Sequence, residues 1–238
     1  MSSDALIDKP GVIGVLAQET ARFSMFAASM TGLAAPEGSS VKWIFGHDIA
    51  ENANKLVEEM YDRDVDWLWI MGDDHAFSGQ ILLRLLAHDK DVCVPLCLMR
   101  NAPYRPVIFS ELHEGTGVRV RVNLDDHPAG GLIPVHSAGS AGMLIKRAVF
   151  DFVGKPWFES GVDSSVQLGE DVYFCDKARD AGFEIFADLD TVLGHCATHV
   201  VWPVREEDGW TFGFSMMGGF QVTMPPGMSV YADEIGAA

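Results

Sequence analysis

A chain of 238 residues with 48% hydrophobic and 21% charged side chains has the composition of a folded globular protein, long enough for one domain with its own core. Its formal net charge of -17 excludes a surface built to neutralise phosphate backbones, so nucleic acid is not an expected partner. No apolar run approaches the roughly 20 residues needed to cross a bilayer, and the first residues lack the basic-then-apolar layout of a secretory signal. The expectation is a cytoplasmic protein without a transmembrane segment.

Val12-Ile13-Gly14-Val15-Leu16-Ala17 is apolar and rich in β-branched residues, the pattern of a buried strand. Ala21 to Gly32 reads as a helix, and Val41–Phe45 as a second strand after the Pro36 to Ser40 loop. A helix follows over Glu51–Tyr61, with Ala53, Leu56, Val57 and Met60 on one face. Asp66–Met71 is a third buried strand, ending at Gly72-Asp73-Asp74-His75, and Ser78 is expected to cap a helix over Gly79–His88. Val92–Leu98 is a fourth strand.

Alternation of strands with helices predicts an α/β fold, with a mostly parallel sheet and helices on both faces. Between Asn101 and Pro134, Pro and Gly punctuate short alternating runs such as Val118–Val122, which predicts a small hairpin excursion. Lys146–Val153 and the segment opened by Gly169-Glu170-Asp171 read as helices, and Glu184–Ala187 and Thr191–Leu193 as the last short strands. The expected division is a domain over residues 10–198 and an extension or lid over 199–238. Its aromatics suit either a lid or a contact in a homo-oligomer.

Ligands of such sheets bind beyond the C-terminal ends of the strands, which is where Asp73-Asp74-His75 falls. Two carboxylates and an imidazole there suit a divalent cation: oxygen ligands favour Mg2+ or Mn2+, and the histidine tilts the choice toward Mn2+ or another transition metal. The same triplet also suits a polar loop capping the next helix. Glu170 and Asp171 occupy a helix's first turn, where the dipole favours acids whatever their role; facing the crevice, one of them can act as general base. Cys93, Cys97, Cys175 and Cys196 lack the paired short spacings of a zinc ribbon and are expected reduced, buried and inert.

Trp67-Leu68-Trp69-Ile70-Met71-Gly72-Asp73-Asp74-His75 resembles the strand and Asp-X-Asp segment of GT-A glycosyltransferases, of the family 2-like kind. In order along the chain, Ser140-Ala141-Gly142-Met143-Leu144-Ile145-Lys146 is similar to the family's glycine-containing acceptor-side strand. Leu168-Gly169-Glu170-Asp171-Val172 is similar to its Glu-Asp helix, and Val192-Leu193-Gly194-His195 to its closing metal histidine. The blocks span residues 12 to 196.

The resemblance implies a single GT-A domain whose partners are a UDP- or GDP-sugar donor and an acceptor of unknown identity. It implies Asp74 and His195 as metal ligands, with Asp73 on the ribose or metal. Gly72 stands where the first Asp of the motif belongs, so a second register, with Asp73 and His75 as ligands beside His195, stays open. Asp171 or Glu170 would be the base. Gln18 and Glu19 after the first strand, His47 after the second, and Asn54 fall where the family holds base and ribose. A nucleotidyltransferase is the rival enzyme, although Gln18-Glu19-Thr20-Ala21-Arg22 is a poor phosphate loop. The third reading is a non-catalytic nucleotide- or carbohydrate-binding module.

Overall fold

The apolar runs become strands because they are buried on both faces of one sheet. A computed structural model describes residues 5–17, 23–46, 48–113, 115–163, 166–197, 200–207, 209–216 and 220–223. In chain order the first half contains β1 (Val12–Ala17), α1 (Ser24–Thr31), β2 (Ser40–Phe45), α2 (Ile49–Asp62), β3 (Trp67–Gly72), β4 (His75–Ala76), α3 (Ile81–Ala87) and β5 (Val92–Cys97). Then follow β6 (Ile108–His113), β7 (Val118–Arg121), β8 (Leu132–Val135), β9 (Ser137–Ala138), β10 (Met143–Lys146) and α4 (Arg147–Val153). The chain closes with β11 (Gly161–Asp163), β12 (Val166–Leu168), α5 (Glu170–Asp180), β13 (Ile185–Cys196), β14 (Val200–Glu206), β15 (Gly209–Met216) and β16 (Phe220–Thr223).

The main sheet has the order β16-β15-β14-β13-β5-β10-β3-β1-β2. β2, β1 and β3 pair in parallel, as do β5 and β13, while β10 lies antiparallel between β3 and β5. This is the expected α/β class, with one reversed strand inside the parallel set. The excursion is present as the hairpin β6–β7, extended by β9 into a small sheet of its own.

Alternation along each strand divides the core into two layers. Val12, Leu68, Ile70, Val92 and Leu96 face α2, α4 and α5, whereas Ile13, Val15, Trp69, Met71 and Cys97 face α1 and α3. α2 forms where its periodicity predicts: Asp48 accepts the Glu51 N–H at 2.9 Å as N-cap, and Leu56, Val57 and Met60 are fully buried. Truncating Leu56 to alanine there costs about 2–5 kcal/mol. Gly142, at φ 72°, is needed between β9 and β10, because a Cβ there would lie 2.7 Å from Pro95.

Three expectations need correction. Ser78 does not cap α3: its hydroxyl accepts the Gln80 N–H at 3.3 Å, and the helix starts at Ile81 with no side-chain cap. The two short strands at Glu184–Ala187 and Thr191–Leu193 are one strand, β13, with a register shift between Asp188 and Val192. At that irregularity the Asp188 carboxylate accepts from Thr191 Oγ1 at 2.6 Å and the Asp190 N–H at 2.9 Å, and it pairs with His88 Nε2 at 2.9 Å. Nor are these the last strands: β14, β15 and β16 continue the sheet as an antiparallel meander, although their sequence lacks regular alternation. Among the described residues no helix is long and apolar enough to cross a membrane.

Candidate metal centre and acidic cavity

β3 carries the chain to Gly72, Asp73 and Asp74 form a turn, and the two residues of β4 then pair with the far end of β13. That antiparallel ladder sets His75 directly opposite His195 and Ala76 opposite Gly194. It is anchored at both sides of the turn: the Asp73 N–H donates to Leu16 O at 3.1 Å, and the Cys196 N–H donates to Asp74 O at 2.7 Å. Residues facing each other in such a pair have Cβ atoms roughly 5 Å apart on one side of the sheet. The imidazoles of His75 and His195 therefore stack, with centroids 4.6 Å apart.

The hydrogen bonds place a proton on Nδ1 of each ring. His195 Nδ1 lies 2.9 Å from Leu98 O, a pure acceptor, so Nδ1 carries a proton. Its Nε2 lies 3.3 Å from Asp74 Oδ2. His75 Nδ1 lies 2.9 Å from Asp74 Oδ1 and 3.2 Å from Gly72 O, so its proton is also on Nδ1. Its Nε2 is buried with no hydrogen-bond partner among the described residues. Burial opposes ionisation of Asp74, but hydrogen bonds from His195 and His75 outweigh it and hold the carboxyl well below the usual carboxylate range. Arg100 Nη1 adds a contact to Asp74 Oδ2 at 3.3 Å.

This arrangement suits a cation. His195 Nε2 and the Asp74 carboxylate, 3.3 Å apart, need a proton or a metal ion between them, and the other ring nitrogen on a carbonyl is the usual companion of a metal-bound imidazole. Gly72 is explained by the same crowding. A Cβ there would lie 2.9 Å from Asp74 Oδ1 and 3.2 Å from His75 Nδ1, so this turn has no room for an aspartate at the position where the Asp-X-Asp pattern would place one.

These residues form one wall of a cavity of about 520 Å³, within the range of small-molecule sites. Glu170 and Asp171, at the N-terminus of α5, line it from another side, and Asp73, 5% exposed, also borders it. Asp171 Oδ1 accepts the Val172 N–H at 2.7 Å and Oδ2 accepts the Ser140 N–H at 3.3 Å. Burial raises the Asp171 carboxyl, and those backbone donors counter it. Glu170 is pushed up to about 7, by burial first and then by the charges of Asp171 and Asp48.

The structure thus brings together Asp73, Asp74, His75, Glu170, Asp171 and His195. Asn54 does not join them: its amide donates to Ala50 O at 2.9 Å and Phe158 O at 2.7 Å, and its Oδ1 accepts the N–H groups of Trp157 and Phe158, each at 3.1 Å. It clamps the segment after α4 and leaves no polar group for a ligand. Gln18, Glu19 and His47 lie outside the described residues. Trp157 and Trp210 are buried and bond to Phe150 O and His127 O, as packing residues do. Arg121 and Cys97 are cavity residues to which the sequence reading gave no role in the site. Arg121 arrives from the excursion hairpin, and Cys97 ends an apolar strand in which a cysteine looks like any other small core residue.

No protein-family model matches the sequence, and no curated protein matches it. Among solved structures the chain is similar to A197 from STIV, at 12% identity and a TM-score of 0.61, over 82% of this chain and 92% of that one. At that identity the likeness is one of fold.

Proposed function

We propose that the protein is a metal-dependent glycosyltransferase, transferring a sugar from a nucleoside-diphosphate donor, UDP- or GDP-linked, to an acceptor hydroxyl. The observation that carries this reading is the convergence of Asp74, His75 and His195 with Glu170 and Asp171 around one cavity beyond the C-terminal ends of β1, β3 and β5. Work in the cytoplasm, where thiols stay reduced, agrees with the four free cysteines.

In this reading the acceptor oxygen attacks the anomeric carbon and the bond from that carbon to the diphosphate oxygen breaks, the electron pair leaving with the nucleotide. Glu170 takes the acceptor's proton. Its position near 7 keeps an ionised fraction at neutral pH while matching the proton's demand, which is what a general base needs. Asp171 holds the start of α5 against the Ser140 backbone and so fixes where Glu170 stands. Arg100 and Arg121 line the cavity and supply planar donors for the diphosphate. Asp74, His75 and His195 would hold the divalent cation, Mn2+ or Mg2+ as the resemblance implies, and that ion would supply Lewis-acid stabilisation of the leaving group.

Calorimetry with a nucleoside diphosphate panel, with and without Mn2+, tests the reading on the wild type and on Asp74→Ala and His195→Ala. Metal-dependent binding of UDP or GDP that weakens at least tenfold in both variants supports it. No nucleotide binding with any metal overturns it.

A further inference from the structure

One ligand atom each of His75, Cys97 and His195 lies within 4.8 Å of the other two. All three residues border the cavity, and two different strand pairings bring them together: β4 with β13 aligns His75 with His195, and β5 with β13 aligns Cys97 with Leu193, two residues before His195. Cys97 is 1% exposed, and among the described residues its thiol has one weak hydrogen-bond contact, to Leu98 O at 3.5 Å. The His75 Nε2, buried and without a hydrogen-bond partner among the described residues, is an independent sign that something belongs in this space.

Two imidazole nitrogens and a sulfur are poor company for Mg2+, which demands oxygen ligands in octahedral array. They are the donors of a tetrahedral site for a borderline-soft cation, in which neighbouring ligand atoms stand roughly 3.5 Å apart, given bonds of about 2.1 Å to nitrogen and 2.3 Å to sulfur. Side-chain adjustments of about 1 Å close the observed cluster to that size. The Asp74 carboxylate is the fourth donor, through Oδ2 beside His195 Nε2, while its Oδ1 orients His75 through Nδ1.

Resting on the metal site of the proposed function, we infer that Cys97 is a ligand of that site, and that the protein takes a thiophilic divalent cation of the Zn2+ or Co2+ type in preference to Mg2+. On binding, the Cys97 S–H bond breaks, the sulfur keeps the electron pair and bonds to the metal, and the proton leaves to solvent; no oxidant is needed.

Co2+ reports all of this optically. Titrating the metal-free wild type with Co2+ is expected to give intense visible bands of tetrahedral cobalt together with a near-ultraviolet thiolate-to-cobalt charge-transfer band. Zn2+ should bleach both and excess Mg2+ should leave them. The charge-transfer band should disappear in Cys97→Ser, with Co2+ affinity at least tenfold weaker, and survive in Cys196→Ser. Weak octahedral absorption without a thiolate band, a band that survives Cys97→Ser, or no Co2+ binding overturns the inference. The first readout is on the wild type, so a poorly folding variant does not remove the test. A thiolate band in a protein that binds no nucleotide would sink the transferase reading and keep the metal site, whereas metal-dependent nucleotide binding without the band would do the reverse.

Discussion

His75 and His195 face each other in register across the short ladder between β4 and β13, their rings 28° from parallel. The spacing of the two imidazoles is therefore set by backbone hydrogen bonds and not by flexible side chains. Asp74, one residue before His75, is held by the Cys196 N–H on its carbonyl and by both histidines on its carboxylate. A site built this way is pre-organised, and its chemistry is sensitive to small changes in the turn.

Gly72→Ala tests that sensitivity. The added Cβ would stand 2.9 Å from Asp74 Oδ1, so the carboxylate or the turn must move. The expected outcome is metal-dependent nucleotide binding weakened by tenfold or more, equivalent to about 1.4 kcal/mol, with global stability changed by no more than about 1 kcal/mol. Calorimetry and urea unfolding on the same sample separate the two. Unaltered binding would mean that the turn is not part of the site.

Glu170→Gln has two readouts with opposite signs. Transfer at pH 8 should fall by about 10²- to 10⁴-fold. The wild-type acid limb of kcat/KM should rise as pH passes through about 7, where Glu170 loses its proton. Stability runs the other way. The native carboxyl holds its proton up to about 7 while the unfolded chain releases it near 4.5, so the wild type loses stability as pH rises across that window. The glutamine variant should match the wild type at pH 4 and exceed it at pH 8 in urea unfolding; a variant weaker at both pH values would contradict this account.

Asn54→Ala separates a clamp from a ligand contact. Four hydrogen bonds to backbone around Trp157 and Phe158 and within α2 are lost, two of them leaving N–H groups unpaired, so the variant should be about 2–3 kcal/mol less stable. Its nucleotide Kd below the unfolding transition should equal the wild type's. A Kd raised tenfold in a fully folded variant would return Asn54 to the binding site.

Much was legible from local pattern alone. The α/β order, the burial of β1, β3 and β5, the amphipathic face of α2, and the placing of Asp73-Asp74-His75 at a strand end all follow from periodicity and breakers within about ten residues, because those features report which side chains must leave water. Gly169-Glu170-Asp171 marked its helix for the same reason. The rest depended on which distant segments meet. Nothing near Cys97 in the chain tells it from Cys93, also fully buried, yet pairing of β5 with β13 brings Cys97 beside two histidines. Asn54 looked like a ligand because a polar residue on a helix has no visible partner until the segment about 100 residues later folds over it. β10 reverses direction inside a parallel set, and β14 to β16 extend the sheet without an alternating pattern, since backbone pairing at a sheet edge requires a free row of N–H and C=O groups more than it requires a sequence. The sequence by itself determined the types of element and the polar residues at their ends; the register of the strands, a long-range property of the sheet, decided which of those residues meet around one cavity.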